Sequence, residues 1–258
     1  MKILVVLGSP RKGESYWGAT RLEKQLKTHP NVDVEYLWLR DLNLKDCLGC
    51  HACIFNGESH CPLKDDTPLL QQKMLEADGV IFTSPVYALQ ISALLKKPFD
   101  HFAYLWHRPR FFGKYAMALA SGGGQFKETL DYIKLNVTNW GFTFVAGIGI
   151  AHHEALQPGR QAKQELDLQK TAEKFYAAVK SQKHPSPGLY ELIRFRVWRI
   201  NAKYLKESNP TDNAYWNEKG WFDAAYYVER PISFLKIIAA DVMERVIHRF
   251  MQSVYQGY

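Results

Sequence analysis

Nowhere in the 258 residues does an uncharged apolar run reach the ~18 residues of a membrane-spanning helix, so no such helix is expected. The opening apolar segment ends at Leu7 and runs directly into Gly8-Ser9-Pro10-Arg11, the wrong pattern for a secretory signal, and the chain is expected in the cytoplasm. Cysteine is absent outside residues 47–61, where all four lie, which argues against a fold-wide disulfide framework. There is no internal repeat and no low-complexity block, and 47% of the residues are apolar, so most of the chain can bury a core. A concentrated basic patch is missing too. The net charge of +7 is spread, with cations outnumbering anions 23 to 18 over residues 1–185 and 10 to 8 over residues 186–258. A nucleic-acid binder gathers its cations on one face, and no nucleic acid is expected as partner.

What is present is an alternation. Residues 2–7 read as a buried strand and 16–28 as a helix with Leu22 and Leu26 on one face. Val32 to Leu39 alternates as a second strand. Asp41 to Asp66 is a loop long enough to suggest function. Thr67-Pro68 opens a helix ending near Ala77. Further strands are expected at 78–83, 115–120 and 142–150, and further helices at 92–104, 125–140 and 160–180. Five strands alternating with five helices predict a parallel sheet covered on both faces, with right-handed crossovers. Lys183 to Gly188 has the composition of a linker. The expected division is therefore a domain over 1–182 and a linker with a helical C-terminal extension over 183–258.

Three turns stand out, each after the carboxyl end of a strand. Gly8-Ser9-Pro10-Arg11-Lys12-Gly13-Glu14-Ser15 delivers glycines, cations and hydroxyls to a helix start, a ready site for a phosphate. Ser84-Pro85-Val86-Tyr87 offers an aromatic ring on a rigid turn. Ser121-Gly122-Gly123-Gly124 lets backbone approach a flat ring closely. In a doubly wound sheet of order 2-1-3-4-5 these ends are neighbours, and ligands sit there. Together they describe a site for a phosphorylated planar cofactor.

These motifs, with Ala77-Asp78-Gly79, Leu95-Lys96 and Phe99-Asp100, resemble the NADPH-dependent FMN reductase and iron-sulfur flavoprotein branch of the flavodoxin-like superfamily over about residues 1–180. The resemblance implies a flavodoxin-like fold. It implies that Ser9, Arg11 and Ser15, with Lys12 beside them, hold the FMN phosphate. Ser84, Pro85, Val86 and Tyr87 would line the isoalloxazine, and Ser121, Gly122 and Gly123 would contact the ring or ribityl chain. Hydride would pass from NAD(P)H to FMN and electrons onward to an unidentified acceptor, with no catalytic side-chain acid or base needed. The chain departs from the family pattern at Glu14, where Asn, Ser or Gly is common, at His101, where Arg is usual, and at Ser121, where Thr is usual.

Cys47-x2-Cys50-x2-Cys53-x7-Cys61-Pro62 is a crowded thiolate run. Three readings remain open: a [4Fe-4S] cluster, uncoordinated or disulfide-forming thiols, and structural zinc. The resemblance adds that iron-sulfur flavoproteins carry a cluster near the flavin on such a loop. Residues 106–112 read either as a lid, with Trp106, His107 and Arg108 acting across a homodimer or homotetramer interface, or as a packed surface loop with Arg bonded to backbone. In the extension, Leu189, Ile193, Val197, Ile200 and Tyr204 share a face ringed by arginines. Packing or self-association is favoured there over contact with a membrane surface, because acidic residues are interspersed. The alternative to a reductase is an FMN and iron-sulfur electron carrier serving protein partners. A thiol-based sensor is a third reading.

Overall fold

The computed structural model describes residues 1–255. In chain order its strands and α-helices are β1 (Lys2–Leu7), α1 (Glu14–Leu26), β2 (Asp33–Trp38), α2 (Ala52–Phe55), α3 (Thr67–Glu76), β3 (Gly79–Pro85), α4 (Ala93–His101), β4 (Tyr115–Ser121), α5 (Lys127–Asn139), β5 (Thr143–Ile150), α6 (Pro158–Ser181), α7 (Leu189–Tyr204), α8 (Pro210–Glu218) and α9 (Phe234–Val254). The chain divides into two compact units, one of residues 1–48, 63–102 and 109–184, the other of 49–62, 103–108 and 185–258.

The first unit is built on a parallel sheet, as the alternation predicts, with the flavodoxin-like order β2-β1-β3-β4-β5. β1 and β4 are apolar almost throughout because both of their faces are covered. Ile3, Val5 and Leu7 point to the side where Leu22, Leu26, Leu168 and Phe175 pack, from α1 and α6. On the other face Phe82 meets Phe99 at 6.0 Å and Trp140 at 6.3 Å between ring centroids. Gly18 lets α1 lie close to the sheet, since a Cβ there would fall 2.4 Å from Ile150 Cδ1.

Boundaries differ from the sequence expectation where caps decide them. α1 begins at Glu14 because extended Gly13 serves as its N-cap. α6 begins at Pro158, whose fixed φ suits the first helical position.

The second unit is organised by aromatic packing. Phe195 of α7 lies 5.4 Å from Trp216 of α8 and 4.6 Å from Tyr227, and Trp221 lies 5.3 Å from Trp216. Burial drives the phenols of Tyr227 and Tyr226 up, that of Tyr226 to about 12. The stretch from Asn209 to Tyr227 contains α8, capped where the Asn209 side chain accepts from the Asp212 amide at 3.2 Å. The α7 face also differs from the expected one. Leu192, Phe195, Arg196 and Ile200 are buried, whereas Leu189 and Tyr204 are exposed. Arg196 can be buried because Asp241, Glu244 and the Ala225 carbonyl receive its guanidinium. Burial and the neighbouring Arg199 lower its pKa, and those carboxylates oppose the shift.

Candidate functional site

In the first unit the three unusual turns meet at the carboxyl edge of the sheet. The Gly8 amide donates to the Thr83 carbonyl at 3.0 Å, and the Gly8 carbonyl accepts from the Ser92 hydroxyl at 2.5 Å. That hydroxyl also caps α4, accepting from the Leu95 amide. A Cβ at Gly8 would sit 2.7 Å from the Thr83 carbonyl oxygen, so the turn accepts only glycine. The Ser84 hydroxyl oxygen accepts from the Ser92 amide at 2.9 Å, and the Val86 amide donates to the Ser121 carbonyl at 2.8 Å. The Gly122 amide donates to Ile150 at 3.0 Å. Finally the hydroxyls of Ser15 and Ser121 share a buried hydrogen bond of 2.7 Å.

One end of this edge suits an anion. Gly13 offers no side-chain cap, so the first-turn amides of α1 lack an intrahelical acceptor and carry the positive end of the helix dipole. Arg11 and Lys12 are exposed beside them. A third cation, Arg40, belongs to no motif in the sequence; its guanidinium donates to the Pro10 carbonyl at 2.7 Å and lies 4.3 Å from the Trp38 ring centroid. It arrives through topology: Leu7 pairs with Trp38, so the end of β2 lies beside the turn after β1.

The two nominated hydroxyls are engaged within the protein. Ser9 donates to the Arg11 carbonyl at 2.9 Å and Ser15 is bonded to Ser121. Glu14 does not face the anion end. Its carboxylate accepts from the His153 amide at 3.2 Å and lies 3.6 Å from His152 Nε2. His153 in turn stacks on Trp17 at 4.4 Å. The histidine pair thus sits beyond β5, in the β5–α6 loop, as a bracket for Glu14.

The other end suits a flat ring. Tyr87 and Gln90 exchange two backbone hydrogen bonds of 3.0 Å around Ala88 and Leu89, both left-handed at φ 48° and 64°. Holding two such non-glycine residues costs about 1–2 kcal/mol each, strain of the kind kept at binding sites. Tyr87 is 52% exposed, so its ring is not core. Gly122 packs under Val86, where a Cβ would lie 3.3 Å from Val86 Cβ, while a Cβ at Gly123 would meet open space. Uncapped amides and cations at one end, with open glycine backbone and an exposed aromatic at the other, fit a phosphorylated planar group such as FMN.

The cysteine loop is anchored at its base and braced at its tip. At the base, within the first unit, His101 Nε2 lies 2.9 Å from the Lys45 carbonyl and 3.6 Å from Asp65. Asp65 accepts from the Lys45 and Thr67 amides at 3.1 and 3.0 Å. Burial raises its pKa, but those amides and His101 outweigh it and hold the carboxyl below the usual range. The unusual His101 is thus a clasp for the loop's entry and exit.

The tip, within the second unit, is braced by Arg108, which is 1% exposed. It donates to the carbonyls of Cys53 and Ile54 and to Asp212, whose carboxylate also meets His107 Nδ1 at 2.6 Å and the Asn209 amide group. Of the two readings of residues 106–112, Arg108 follows the packed one and bonds backbone. None of the four cysteines is in a disulfide. Among the described residues no three His, Cys, Asp or Glu side chains are gathered as for a metal ion.

Sheet order, crossovers and an edge site at the β1, β3 and β4 ends define a flavodoxin-like flavoprotein fold. The model of the NADPH-dependent FMN reductase family matches residues 1–156. An iron-sulfur flavoprotein of Archaeoglobus fulgidus is 31% identical over 229 residues, covering 86% of this chain and 100% of that protein. Another, from Methanocaldococcus jannaschii, is 33% identical over 129 residues, 48% of this chain and 66% of that protein. Among solved structures, an NADH:FMN oxidoreductase superposes with a TM-score of 0.52 at 19% identity, over 71% of this chain and 94% of that one. The chain belongs to the NADPH-dependent FMN reductase family and is an FMN-dependent oxidoreductase.

Proposed function

We propose that the chain is an NAD(P)H-dependent FMN reductase of the flavin or quinone type, working as a homodimer or homotetramer and handing electrons to a small-molecule or protein acceptor. The observation that carries this reading is the exposed Tyr87 on its strained turn, beside the open backbone of Gly122 and Gly123. When bound, FMN supplies the hydride acceptance and the electron release.

The chain's own residues bind and orient. The α1 amides, with Arg11, Lys12 and Arg40, hold the phosphate, and the Ser9 and Ser15 hydroxyls fix the turn that presents those amides. Ser84 positions the Pro85-Val86-Tyr87 wall along one side of the ring, and Ser121, Gly122 and Gly123 give backbone close approach on another. Mixing anaerobic, FMN-loaded protein with NADPH and separately with NADH tests this: rapid bleaching of the flavin absorbance supports it. Flavin that stays oxidised with both nicotinamides overturns it.

A second reading, an FMN and iron-sulfur electron carrier, draws on the thiol run and on the names of the relatives. The donor set of Cys47, Cys50, Cys53 and Cys61 has the chemistry of a [4Fe-4S] site, four thiols outside any disulfide. Reduction by a ferredoxin-like donor and not by nicotinamide, with iron and sulfide present, favours it.

A further inference from the structure

The last helix is amphipathic in the reverse of the usual sense. Its charged side faces inward, onto α7. There Arg196 bonds Asp241 at 2.9 Å, Arg199 bonds Glu244 at 2.9 Å, and Tyr204 stacks on His248 at 4.0 Å. This polar junction leaves a cleft of about 560 Å³ lined by those arginines and carboxylates.

Of the α9 side chains, Ala240 is the buried one. The outward side carries Leu235, Ile238, Val242, Val246, Phe250 and Val254, spaced three and then four residues apart, which is one continuous face. Leu235 is 76% exposed and Phe250 63%, and Phe234 and Tyr255 flank the stripe at its ends. At 1.5 Å per residue the stripe runs ~30 Å. An apolar surface of this extent marks a contact with something.

The charges on this face choose the occupant. α9 holds two acidic residues, Asp241 and Glu244, and both are committed inward to Arg196 and Arg199. The charged side chains left exposed are both cationic: Arg249 lies within the stripe, and Arg245 lies at its edge, where it also lines the cleft beside Asp241 and Glu244. Two copies joined through such faces would bring like charges together with no acid on α9 to answer them. An anionic lipid surface answers them directly, with aromatic and aliphatic side chains entering the headgroup boundary and arginine stems lying along it. Asp241 and Glu244, two of the acids interspersed in the extension, are turned away from this face.

We propose that α9 is an interfacial helix that seats the protein on anionic lipid. It lies on the surface and does not cross it: no helix of the described residues is long and apolar enough to span. This proposal is independent of the flavin reading.

Flotation of the full-length protein with vesicles of phosphatidylcholine alone and of equimolar phosphatidylcholine and phosphatidylglycerol tests it. The wild type is expected to float with the anionic vesicles, and less as salt rises. R245Q/R249Q should weaken partitioning about 30-fold, at roughly fivefold per cation. V242E/V246E should abolish it, with circular dichroism and FMN content showing that the protein is folded. If that variant does not fold, R245Q/R249Q decides alone. Failure of the wild type to float, or partitioning unchanged in R245Q/R249Q, overturns the proposal. So does a lipid-free dimer that light scattering shows falling to monomer in V242E/V246E, which would assign the face to a second copy.

Discussion

The Ser15 and Ser121 hydroxyls, 106 residues apart in sequence, meet at 2.7 Å in a buried hydrogen bond that ties the first turn of α1 to the end of β4. It makes the anion end and the ring end of the cleft one rigid edge. Removing it by S121A should lower stability by about 1 kcal/mol, the usual net worth of such a bond. Chemical denaturation checks this. FMN affinity should fall as well, because the two ends are no longer held in register.

If the cations at the anion end hold the phosphate as proposed, they should act on the phosphate and on nothing else of the ligand. R11A and R40A are each expected to weaken FMN binding about 3- to 10-fold while leaving riboflavin, which lacks the phosphate, unchanged. Fluorescence titration of the apoprotein reads both ligands. Equal losses for FMN and riboflavin would show that these arginines act through the fold.

Two glycines separate steric need from ligand approach. G8A forces a Cβ to 2.7 Å from the Thr83 carbonyl and 2.9 Å from Leu95 Cβ, and should destabilise by about 2–4 kcal/mol. G123A meets open space, so its stability should move by less than about 0.5 kcal/mol, yet FMN affinity should drop because the methyl occupies ligand space. Thermal melts with and without FMN distinguish the two.

Much of this was legible in the residues. The buried runs of β1, β3 and β4 announce themselves because parallel strands covered on both faces must be apolar, and Gly, Ser and Pro clusters mark the turns that follow them. Arg40 was hidden because only the β1–β2 register brings it to Pro10. Arg196 reads as a surface cation until Asp241, 45 residues later, supplies its partner. The α8 helix was masked by aromatic residues that serve the core of the second unit, and Asp212 has no motif: its role comes from Arg108, 104 residues away.

Asp65 makes the clasp at the loop's base pH-dependent. Its folded-state pKa is depressed, so its contribution is present above the unfolded value of ~3.9 and is lost as pH falls through the lower folded value. D65N should therefore cost about 1–3 kcal/mol at neutral pH, and the gap to wild type should close at acid pH. Urea denaturation at a series of pH values measures it.

Arg108 braces the cysteine loop from inside the second unit. R108M removes the arginine from the buried Asp212 carboxylate, which keeps only His107 and the Asn209 amide group, and should cost about 3 kcal/mol. It also releases the Cys53 and Ile54 carbonyls. Alkylation of Cys53 should accelerate under native conditions, and mass spectrometry of the labelled peptides reads the rate.

FMN is proposed to sit on this edge with its phosphate at the 8–15 turn. Equilibrium titration of the apoprotein with FMN and with riboflavin tests it most directly. One FMN per chain is expected, bound at least about tenfold more tightly than riboflavin. Equal affinity for the two flavins, or no binding of FMN, would contradict it.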